Sequence, residues 1–190
     1  MSGGVNSAVE ADDELLGGIA RGNQRAFETL YRRFESRIFR YVSGLLKDTT
    51  VAEEVTCEVF FDLWRNATTF RGESAVSTWI FSIARHKALS ALRKKAPPHE
   101  SEDVIERLPG EGSDPEKTAA ASDLRGKVRQ ALDLLSPEHR EVLELSLYHD
   151  LSYEEIAGIA GAPVNTVKTR AFYARQEMKK ILRSMGIEQA

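Results

Sequence analysis

Residues 151–176 read LSYEEIAGIAGAPVNTVKTRAFYARQ, a segment that carries the signals for two helices joined by a tight turn. Ser152 and Glu155 have the spacing of a capping box, in which each side chain satisfies a free amide of the first helical turn. Gly161 tolerates the positive φ of a sharp turn, and Pro163 fixes φ where the next helix can begin. Together these signals predict a helix-turn-helix.

The second helix of this motif has two contrasting faces. Its apolar stripe consists of Val164, Val167, Ala171, Ala174, Met178 and Ile181. Small inward side chains allow close packing, while short polar and basic side chains on the other face can enter a DNA major groove about 12 Å wide. The alternative is a helical hairpin with an ordinary solvated face. The residues predicted to contact DNA are Asn165, Thr166, Lys168, Thr169, Arg170, Tyr173 and Arg175.

The N-terminal half also shows helical periodicity, which predicts four helices there. Asp12 can cap the first helix and Asn23 the second, and the third starts near Asp48. A loop over residues 66–73 precedes a fourth helix, which runs from about Ser74 to Lys95. The expected buried stripes are Phe27, Leu30, Tyr31, Phe34, Ile38, Val42 and Leu45 in the second helix, and Ala52, Val55, Val59 and Leu63 in the third.

A change of composition separates this half from the next. Residues 97–118 are rich in proline, glycine and acidic residues, so we expect an extended acidic linker without a core. After it, Leu124, Val128, Leu132 and Leu135 form one stripe, and Ser136-Pro137-Glu138 starts a helix that continues through Val142, Leu143 and Leu147. The chain is therefore predicted to be all-α, with two small helical domains at residues 1–96 and 119–190.

The distribution of charge is more informative than the total. A net charge of −3 argues against a nucleic-acid partner, but residues 85–95 carry five basic side chains and no acidic one. Such a cluster indicates local contact with phosphates. An ordinary solvated helix face is the alternative.

Several classes of function find no support in the sequence. The four histidines show no metal-ligand spacing among themselves or with Cys57, so we expect no metal site, no cofactor and no enzymatic activity. A single cysteine excludes an internal disulfide. Residues 1–10 lack the features of a signal peptide, and no apolar run reaches the length of a membrane span. These observations predict a cytoplasmic protein.

Three segments of the C-terminal half resemble sigma factors, the subunits that give bacterial RNA polymerase its promoter choice. They are Leu135–Pro137, Leu151–Ala157 and Pro163–Arg170. In that family this domain reads the minus-thirty-five promoter element, which the resemblance implies for the DNA-contacting residues named above. Two rivals remain open, namely a conventional helix-turn-helix regulator that works without polymerase and a helical adaptor with basic faces.

The third predicted helix resembles the sigma-factor helix that docks on the clamp of RNA polymerase. The resemblance lies in Ala52–Val55, Glu58–Phe60, Leu63 and Trp64. An apolar patch ringed by acids on its outer face suits a basic, partly apolar partner helix, although this helix could instead be buried on both faces. The implied polymerase-binding residues are Asp48, Glu53, Glu54, Glu58, Phe61 and Trp64.

Residues 70–75 and 78–85 closely resemble the family's loop and helix for the minus-ten element, where unstacked bases of one melted strand are captured. His86 stands where the family commonly has asparagine, and the hydrogen bonds of histidine depend on its tautomer and protonation. Trp79 is expected to anchor the core rather than to stack on a base. The implied DNA-binding residues are Phe70, Arg71, Ser74, Arg85, His86, Lys87, Arg93 and Lys94.

The order of these segments, without the extra domains of housekeeping sigma factors, points to the extracytoplasmic-function group. The resemblance implies three partners: core RNA polymerase, promoter DNA in duplex and melted form, and an anti-sigma factor. It also implies that the acidic linker threads a basic channel of the polymerase.

Overall fold

The structure is a computed structural model that describes residues 5–95 and 119–187. Within these ranges the regular elements are helices alone, so the predicted all-α class is confirmed. The predicted linker lies outside the described residues. The helices are α1 (Val5–Ala20), α2 (Gln24–Leu46), α3 (Thr49–Asn66), a short 3-10 helix (Ala67–Thr69), α4 (Val76–Lys95), α5 (Ala119–Asp133), α6 (Pro137–Leu147), α7 (Tyr153–Ala160) and α8 (Val164–Ser184).

The chain divides into two compact units, one N-terminal and one C-terminal, which are described separately. The core of the N-terminal unit lies where α2, α3 and α4 pack together. Tyr41 of α2 meets Phe81 of α4 edge to face, with 5.4 Å between ring centroids. Burial of such apolar and aromatic surface is the main stabilising contribution to a small helical domain. The other residues of this core include Leu30, Phe34, Ile38, Val42, Val55, Val59, Leu63, Ile80 and Ala84.

Two predicted caps of the N-terminal unit are confirmed, and one is wrong. The Asn23 side chain accepts hydrogen bonds from the backbone amides at the start of α2, and Asp48 accepts one from the amide of Val51 at the start of α3. Asp12 is not a cap, because α1 already begins at Val5. The residues between Val5 and Asp12 include no glycine or proline that would end the helix. The Asp12 carboxylate instead accepts a hydrogen bond from the guanidinium of Arg33 on α2.

The buried stripe of α2 differs in part from the prediction. Tyr31 is exposed, and Phe27 and Leu45 are half-buried rather than part of the core. Both rings lie at the edge of the helix and contact aromatic side chains of α3, so their apolar surface is only partly removed from water. Ala26, Tyr41 and Leu46 are the buried residues that the predicted stripe missed.

The C-terminal unit is organised around α6 and α8. Its core cluster joins Leu132, Leu135, Leu143 and Ala174, with Val128, Met178 and Ile181 packed against it. Ser136 caps α6 as predicted. Leu124 and Leu147 were expected to be buried but are exposed, since Leu124 precedes the packed part of α5 and Leu147 is the last residue of α6.

The predicted helix-turn-helix is present with the expected local geometry. Ser152 and Glu155 form a complete capping box at the start of α7. Gly161 ends α7 with a φ of 64°, the left-handed conformation that favours glycine. Pro163 occupies the position before the first residue of α8. The angle between the two helices is therefore set by a turn of three residues.

Candidate nucleic-acid and partner interfaces

The two faces of α8 are separated as the sequence predicts. The inner face of α8 is fully buried within the C-terminal unit at Val167, Ala171 and Ala174. Their small side chains allow α8 to pack close to the neighbouring helices. Of the seven predicted DNA contacts, Thr166 and Arg170, which are four residues apart, are half-buried at one edge of the free face. The other five are exposed, namely Asn165, Lys168, Thr169, Tyr173 and Arg175.

Two basic residues of α8 are held by side chains of α7. Arg175 donates a hydrogen bond to the hydroxyl of Tyr153, and its guanidinium carbon lies 5.8 Å from the centroid of that ring. The ammonium of Lys168 lies 3.7 Å from a carboxylate oxygen of Glu154. The short first helix therefore orients part of the basic surface of the second.

Phe172 also belongs to the outer face of α8, and the sequence analysis missed it. Its side chain is 55% exposed, and its ring lies 5.4 Å from that of Tyr173. The positions of Asn165, Thr169, Phe172 and Gln176 follow one another at intervals of three and four residues, so they share one face. The sequence analysis considered the polar and basic residues of this face and therefore did not include Phe172. The helical spacing alone would have placed Phe172 on the same face.

The outer face of α3 carries an apolar patch among acids. Phe61 is 59% exposed and Cys57 is exposed as well, on the side opposite the buried Val55 and Val59. The guanidinium of Arg65 lies 5.4 Å from the centre of the Phe61 ring. The acidic residues of this face, Glu53, Glu54 and Glu58, are all exposed.

Two of the predicted polymerase-binding residues also hold the fold. Asp48 is the N-cap of α3, and Trp64 is half-buried with its ring edge to face against Phe27, at a centroid distance of 5.3 Å. Trp64 belongs to an aromatic cluster between α2 and α3 that also contains Phe27, Tyr31 and Phe60. The sequence could not indicate this cluster, because its members come from two helices.

The loop before α4 is supported by an aromatic contact. Phe70 lies 5.3 Å from the ring of Trp79, which therefore packs against the loop. Trp79 is half-buried, so it lies at the edge of the core rather than within it. Gly72 has a φ of 70°, which turns the chain towards α4. Arg71 is exposed 3.9 Å from Glu73, and Ser74 is exposed beside it.

The predicted DNA-binding residues of α4 fall into two groups. His86, Arg93 and Lys94 are exposed, and Arg93 donates a hydrogen bond to the hydroxyl of Ser90 at 3.1 Å. Arg85 and Lys87 are half-buried. The eight predicted minus-ten residues therefore include exposed groups, partly buried cations and the packed Phe70.

Lys87 is engaged by two carboxylates of α3. Its ammonium lies 2.9 Å from Asp62 and 3.1 Å from Glu58. Burial lowers the pKa of Lys87, but the hydrogen bonds and charges of Asp62 and Glu58 outweigh that effect and raise the pKa above its ordinary value. A groove of about 850 Å³ runs along this contact, lined by Glu54, Glu58 and Asp62 on one side and by His86, Lys87 and Lys94 on the other.

The described ranges, 5–95 and 119–187, contain neither a metal-binding cluster nor a membrane-spanning helix. No group of three or more histidine, cysteine or acidic side chains there is arranged to hold a metal ion. None of the helices in those ranges combines the length and the apolar character that a membrane crossing requires.

Two family models match the chain in the order of its two units. Residues 30–97 match Sigma-70 region 2, and residues 125–178 match Sigma-70, region 4. The RNA polymerase sigma-H factor of Pseudomonas aeruginosa is 31% identical over 185 residues, which cover 93% of this chain and 96% of that protein. The chain belongs to the sigma-70 family.

Further comparisons place this sigma factor in the extracytoplasmic-function group. The ECF RNA polymerase sigma-E factor of Escherichia coli K12 is 33% identical over 174 residues, covering 87% of this chain and 91% of that protein. The resemblance inferred from the sequence is thereby confirmed. As a sigma factor, the protein is a transcription regulator that directs RNA polymerase to promoters.

Two solved structures share the fold of this sigma factor. CnrH, solved in complex with the cytosolic domain of CnrY, superposes with a TM-score of 0.69 at 24% identity, over 92% of this chain and 98% of CnrH. The sigma factor RpoE of Bartonella quintana, solved with the anti-sigma factor NepR, gives a TM-score of 0.63 at 24% identity, over 83% of this chain and 96% of that one.

Proposed function

We propose that three surfaces of this sigma factor divide the work of transcription initiation. The outer face of α3 docks on core RNA polymerase, the segment between α3 and α4 that includes the 3-10 helix captures the minus-ten element together with α4, and α8 reads the minus-thirty-five element. The observation that carries this proposal is Phe61, a large aromatic side chain that is 59% exposed among carboxylates. The packing of the N-terminal unit does not account for an exposed aromatic residue at that position.

The docking surface consists of an apolar centre with an acidic rim. Phe61 and Cys57 form the centre, while Glu53, Glu54 and Glu58 form the rim. An apolar centre provides most of the affinity of a protein interface, and charges at the rim guide association with a partner of opposite charge. Asp48, the N-cap of α3, and Trp64, whose half-buried ring packs on Phe27, complete the proposed polymerase-binding set.

The minus-ten surface combines a supported loop with exposed cations. Phe70, Arg71 and Ser74 lie on or next to the loop that Trp79 holds in place. Arg93 and Lys94 are exposed along α4, where they can follow a phosphate backbone. His86 is exposed on the same helix, and Arg85 and Lys87 lie nearer the core. A basic track beside a shaped loop is the arrangement that capture of a single strand requires.

The minus-thirty-five surface is the exposed face of α8. Asn165 and Thr169 lie towards the N-terminal end of the helix, which is the end that reaches base edges when a recognition helix enters the major groove. Lys168, Arg170 and Arg175 can contact phosphates on both sides of that line. Tyr173 is exposed further along the helix, and Thr166 is half-buried at the edge of this surface.

The proposal extends to domain limits and regulation. Residues 1–96 would form the polymerase-binding and minus-ten domain, residues 97–118 the acidic linker, and residues 119–190 the minus-thirty-five domain. An anti-sigma factor would hold the protein inactive, as the Bartonella quintana relative of similar fold suggests by its complex with one. The protein would act in the cytoplasm, where RNA polymerase works.

A transcription assay tests the proposed function directly. The purified protein is added to core RNA polymerase free of any sigma subunit, together with a pool of genomic promoter fragments, and the transcripts are sequenced. Discrete start sites with shared upstream motifs support the proposal. If no specific initiation occurs while another sigma factor activates the same polymerase, a conventional regulator or an adaptor explains the chain better.

A further inference from the structure

The second helix carries a basic surface that the three proposed interfaces do not include. Residues 21–40 contain six arginines but only two acidic residues. We infer that Arg33, Arg37 and Arg40 form a phosphate-binding ridge on α2, which extends the proposed minus-ten surface of α4 along the backbone of promoter DNA. This inference rests on the proposed function and adds α2 to the part of the protein that binds DNA.

The spacing of the three arginines places them on one side of α2. Their positions are separated by four and three residues, so the side chains follow one another along the helix. The Asp12 carboxylate accepts a hydrogen bond from Arg33 and also interacts electrostatically with Arg37, so both guanidinium groups lie near the same carboxylate. Asp12 and the neighbouring Asp13 offset part of the positive charge of the ridge, while Arg40 is exposed beyond them.

The acidic residues of α2 lie on its other side. Glu28 and Glu35 are seven residues apart and share a face with Tyr31, whose ring lies 4.7 Å from that of Phe60 on α3. Glu28 also forms an ion pair with Arg32 at 2.5 Å. The charges of α2 are therefore separated, with the acids towards α3 and the ridge towards α1. Arginines gathered on one face of a helix are typical of a nucleic-acid contact.

The ridge is continuous with the proposed minus-ten surface. The guanidinium carbon of Arg37 lies 5.6 Å from the centre of the Phe81 ring of α4. Arg85, one of the predicted minus-ten residues, follows Phe81 by four residues and so lies one turn further along the same side of α4. Phe81 is fully buried and forms an apolar base between an arginine of each helix. A phosphate backbone bound along α4 can therefore continue onto α2.

Arginine suits this role because its planar guanidinium can donate two hydrogen bonds to one phosphate. Arg33 and Arg37 also hold the fold, through Asp12 and through the Phe34 and Phe81 rings. Arg40 is exposed, so its substitution changes the surface without removing such a contact. Arg40 is therefore the member of the ridge whose replacement reports on binding alone.

The test measures how the affinity of the full-length protein for DNA depends on salt. A fluorescein-labelled random-sequence DNA is used as a single strand and as a duplex, because both forms present the same phosphates. Arg40→Gln should weaken binding to at least one probe about three- to fivefold at low salt. It should also reduce the slope of log affinity against log salt concentration by about 0.7 for the strand or about 0.9 for the duplex.

Two matched variants control for charge. Arg40→Lys keeps the positive charge, so the slope should stay close to that of the wild type. Arg32→Gln removes the same charge from the next turn of α2, but its guanidinium pairs with Glu28 on the acidic side, so the slope should not change. Circular dichroism of each variant checks that the helical fold is kept.

The outcomes separate the ridge from its alternatives. A slope that falls in Arg40→Gln but not in the two controls supports the inference, and the probe that responds identifies strand or duplex. Unchanged slopes in Arg40→Gln, or an equal fall in Arg32→Gln, overturn it and leave a solvated face or a general charge effect. Weaker binding of Arg40→Gln to core polymerase with unchanged DNA binding also overturns it and assigns the ridge to a protein partner. If the wild type initiates specifically in the transcription assay while both slopes stay unchanged in Arg40→Gln, only this inference fails.

Discussion

Tyr153 and Arg175 join the two helices of the helix-turn-helix through a hydrogen bond from the guanidinium to the phenol hydroxyl. The same guanidinium carbon lies 5.8 Å from the centroid of the Tyr153 ring. Arginine loses much side-chain freedom when it is fixed on DNA, and a contact made beforehand reduces that loss. Tyr153 therefore positions Arg175 for a phosphate, in our interpretation, without having to contact DNA itself.

Tyr153→Phe should weaken binding to promoter duplex while leaving the fold unchanged. The substitution removes the hydroxyl and keeps the ring, so the loss should be about two- to fivefold, as for one exposed hydrogen bond to a charged group. Holoenzyme binding to a labelled promoter duplex measures it. Tyr148→Phe, which removes a hydroxyl from an exposed tyrosine at the end of α6, is the matched control. Equal losses in both variants would contradict the positioning role.

Phe61→Ala should weaken binding to core polymerase by about tenfold or more, because an exposed aromatic residue at the centre of an interface commonly dominates its affinity. The melting temperature should stay close to that of the wild type, since the Phe61 side chain is 59% exposed. Fluorescence-detected titration with core enzyme gives the affinity, and circular dichroism gives the stability. Phe172→Ala removes an exposed phenylalanine of similar exposure from the other unit and should leave polymerase affinity unchanged.

Trp64→Ala is not equivalent to Phe61→Ala, although both residues belong to the predicted polymerase-binding set. Trp64 packs against Phe27 in the aromatic cluster between α2 and α3, so its removal should lower stability as well as affinity. Phe60 is only 2% exposed, and Phe60→Ala should cost about 3–5 kcal/mol of unfolding free energy. A stability loss in Phe61→Ala as large as that would remove the assignment of Phe61 to the docking surface.

The features that the sequence predicted best are local ones. The capping box joins Ser152 to Glu155, three residues away, and the Asp48 cap reaches Val51 over the same distance. Such signals depend on backbone groups whose positions the helix itself fixes, so they can be recognised without knowledge of the tertiary fold. The buried stripe of α3 was predicted equally well because it follows from helical periodicity.

The features that the sequence did not predict come from contacts between distant segments. Lys87 meets Glu58 across 29 positions, and Arg33 meets Asp12 across 21. Periodicity indicates which side of a helix faces a core, but it does not say which side chain of another helix lies opposite. For the same reason Lys87 looked like an ordinary phosphate contact, and Asp12 looked like a helix cap.

Gly161→Ala should destabilise the C-terminal unit by about 1–2 kcal/mol, since an alanine must adopt a left-handed conformation there. The φ of Gly161 is +64°, and a Cβ at this position meets no other atom within 4 Å, so the cost is one of backbone conformation alone. Gly126 lies inside α5 with equally open space. Gly126→Ala should therefore stabilise by about 0.5–1 kcal/mol. Denaturation monitored by circular dichroism should show that the two substitutions change the unfolding free energy in opposite directions. A change in the same direction would contradict the turn geometry.

Glu144 should make the stability of the C-terminal unit depend on pH. Burial raises the pKa of Glu144 above its ordinary value of 4.5, and the guanidinium of Arg140, 2.8 Å away, offsets this only in part. The folded state therefore holds the proton more tightly than the unfolded state does. The resulting stabilisation is fully present below pH 4.5 and is lost as the pH rises through the raised pKa.

Glu144→Gln removes that titration, so its unfolding free energy relative to the wild type should increase as the pH rises from 4.5 towards neutrality. Denaturation of both proteins across this range measures the difference. Glu138→Gln, a change at an exposed carboxylate in the first turn of the same helix, is the control and should show a flatter difference. If the unfolding free energy of Glu144→Gln relative to the wild type fell with rising pH, the predicted direction of the pH dependence would be wrong.

Phe172→Ala should reduce recognition of the minus-thirty-five element without changing how binding depends on salt. The Phe172 side chain is 55% exposed on the face of α8 that carries Thr169, and an aromatic ring there can contact apolar base edges such as a thymine methyl group. The Phe172 ring neutralises no phosphate, so we expect a loss of affinity of about fivefold that varies with the base sequence, while the slope of log affinity against log salt concentration stays the same.

Lys168→Gln is the contrasting variant, because removal of a phosphate contact lowers affinity uniformly and reduces this slope by about one. Holoenzyme binding to promoter duplexes with altered minus-thirty-five sequences, over a series of salt concentrations, separates the two effects. If Phe172→Ala behaved like Lys168→Gln, or had no effect on any sequence, the ring would lie outside the interface with bases.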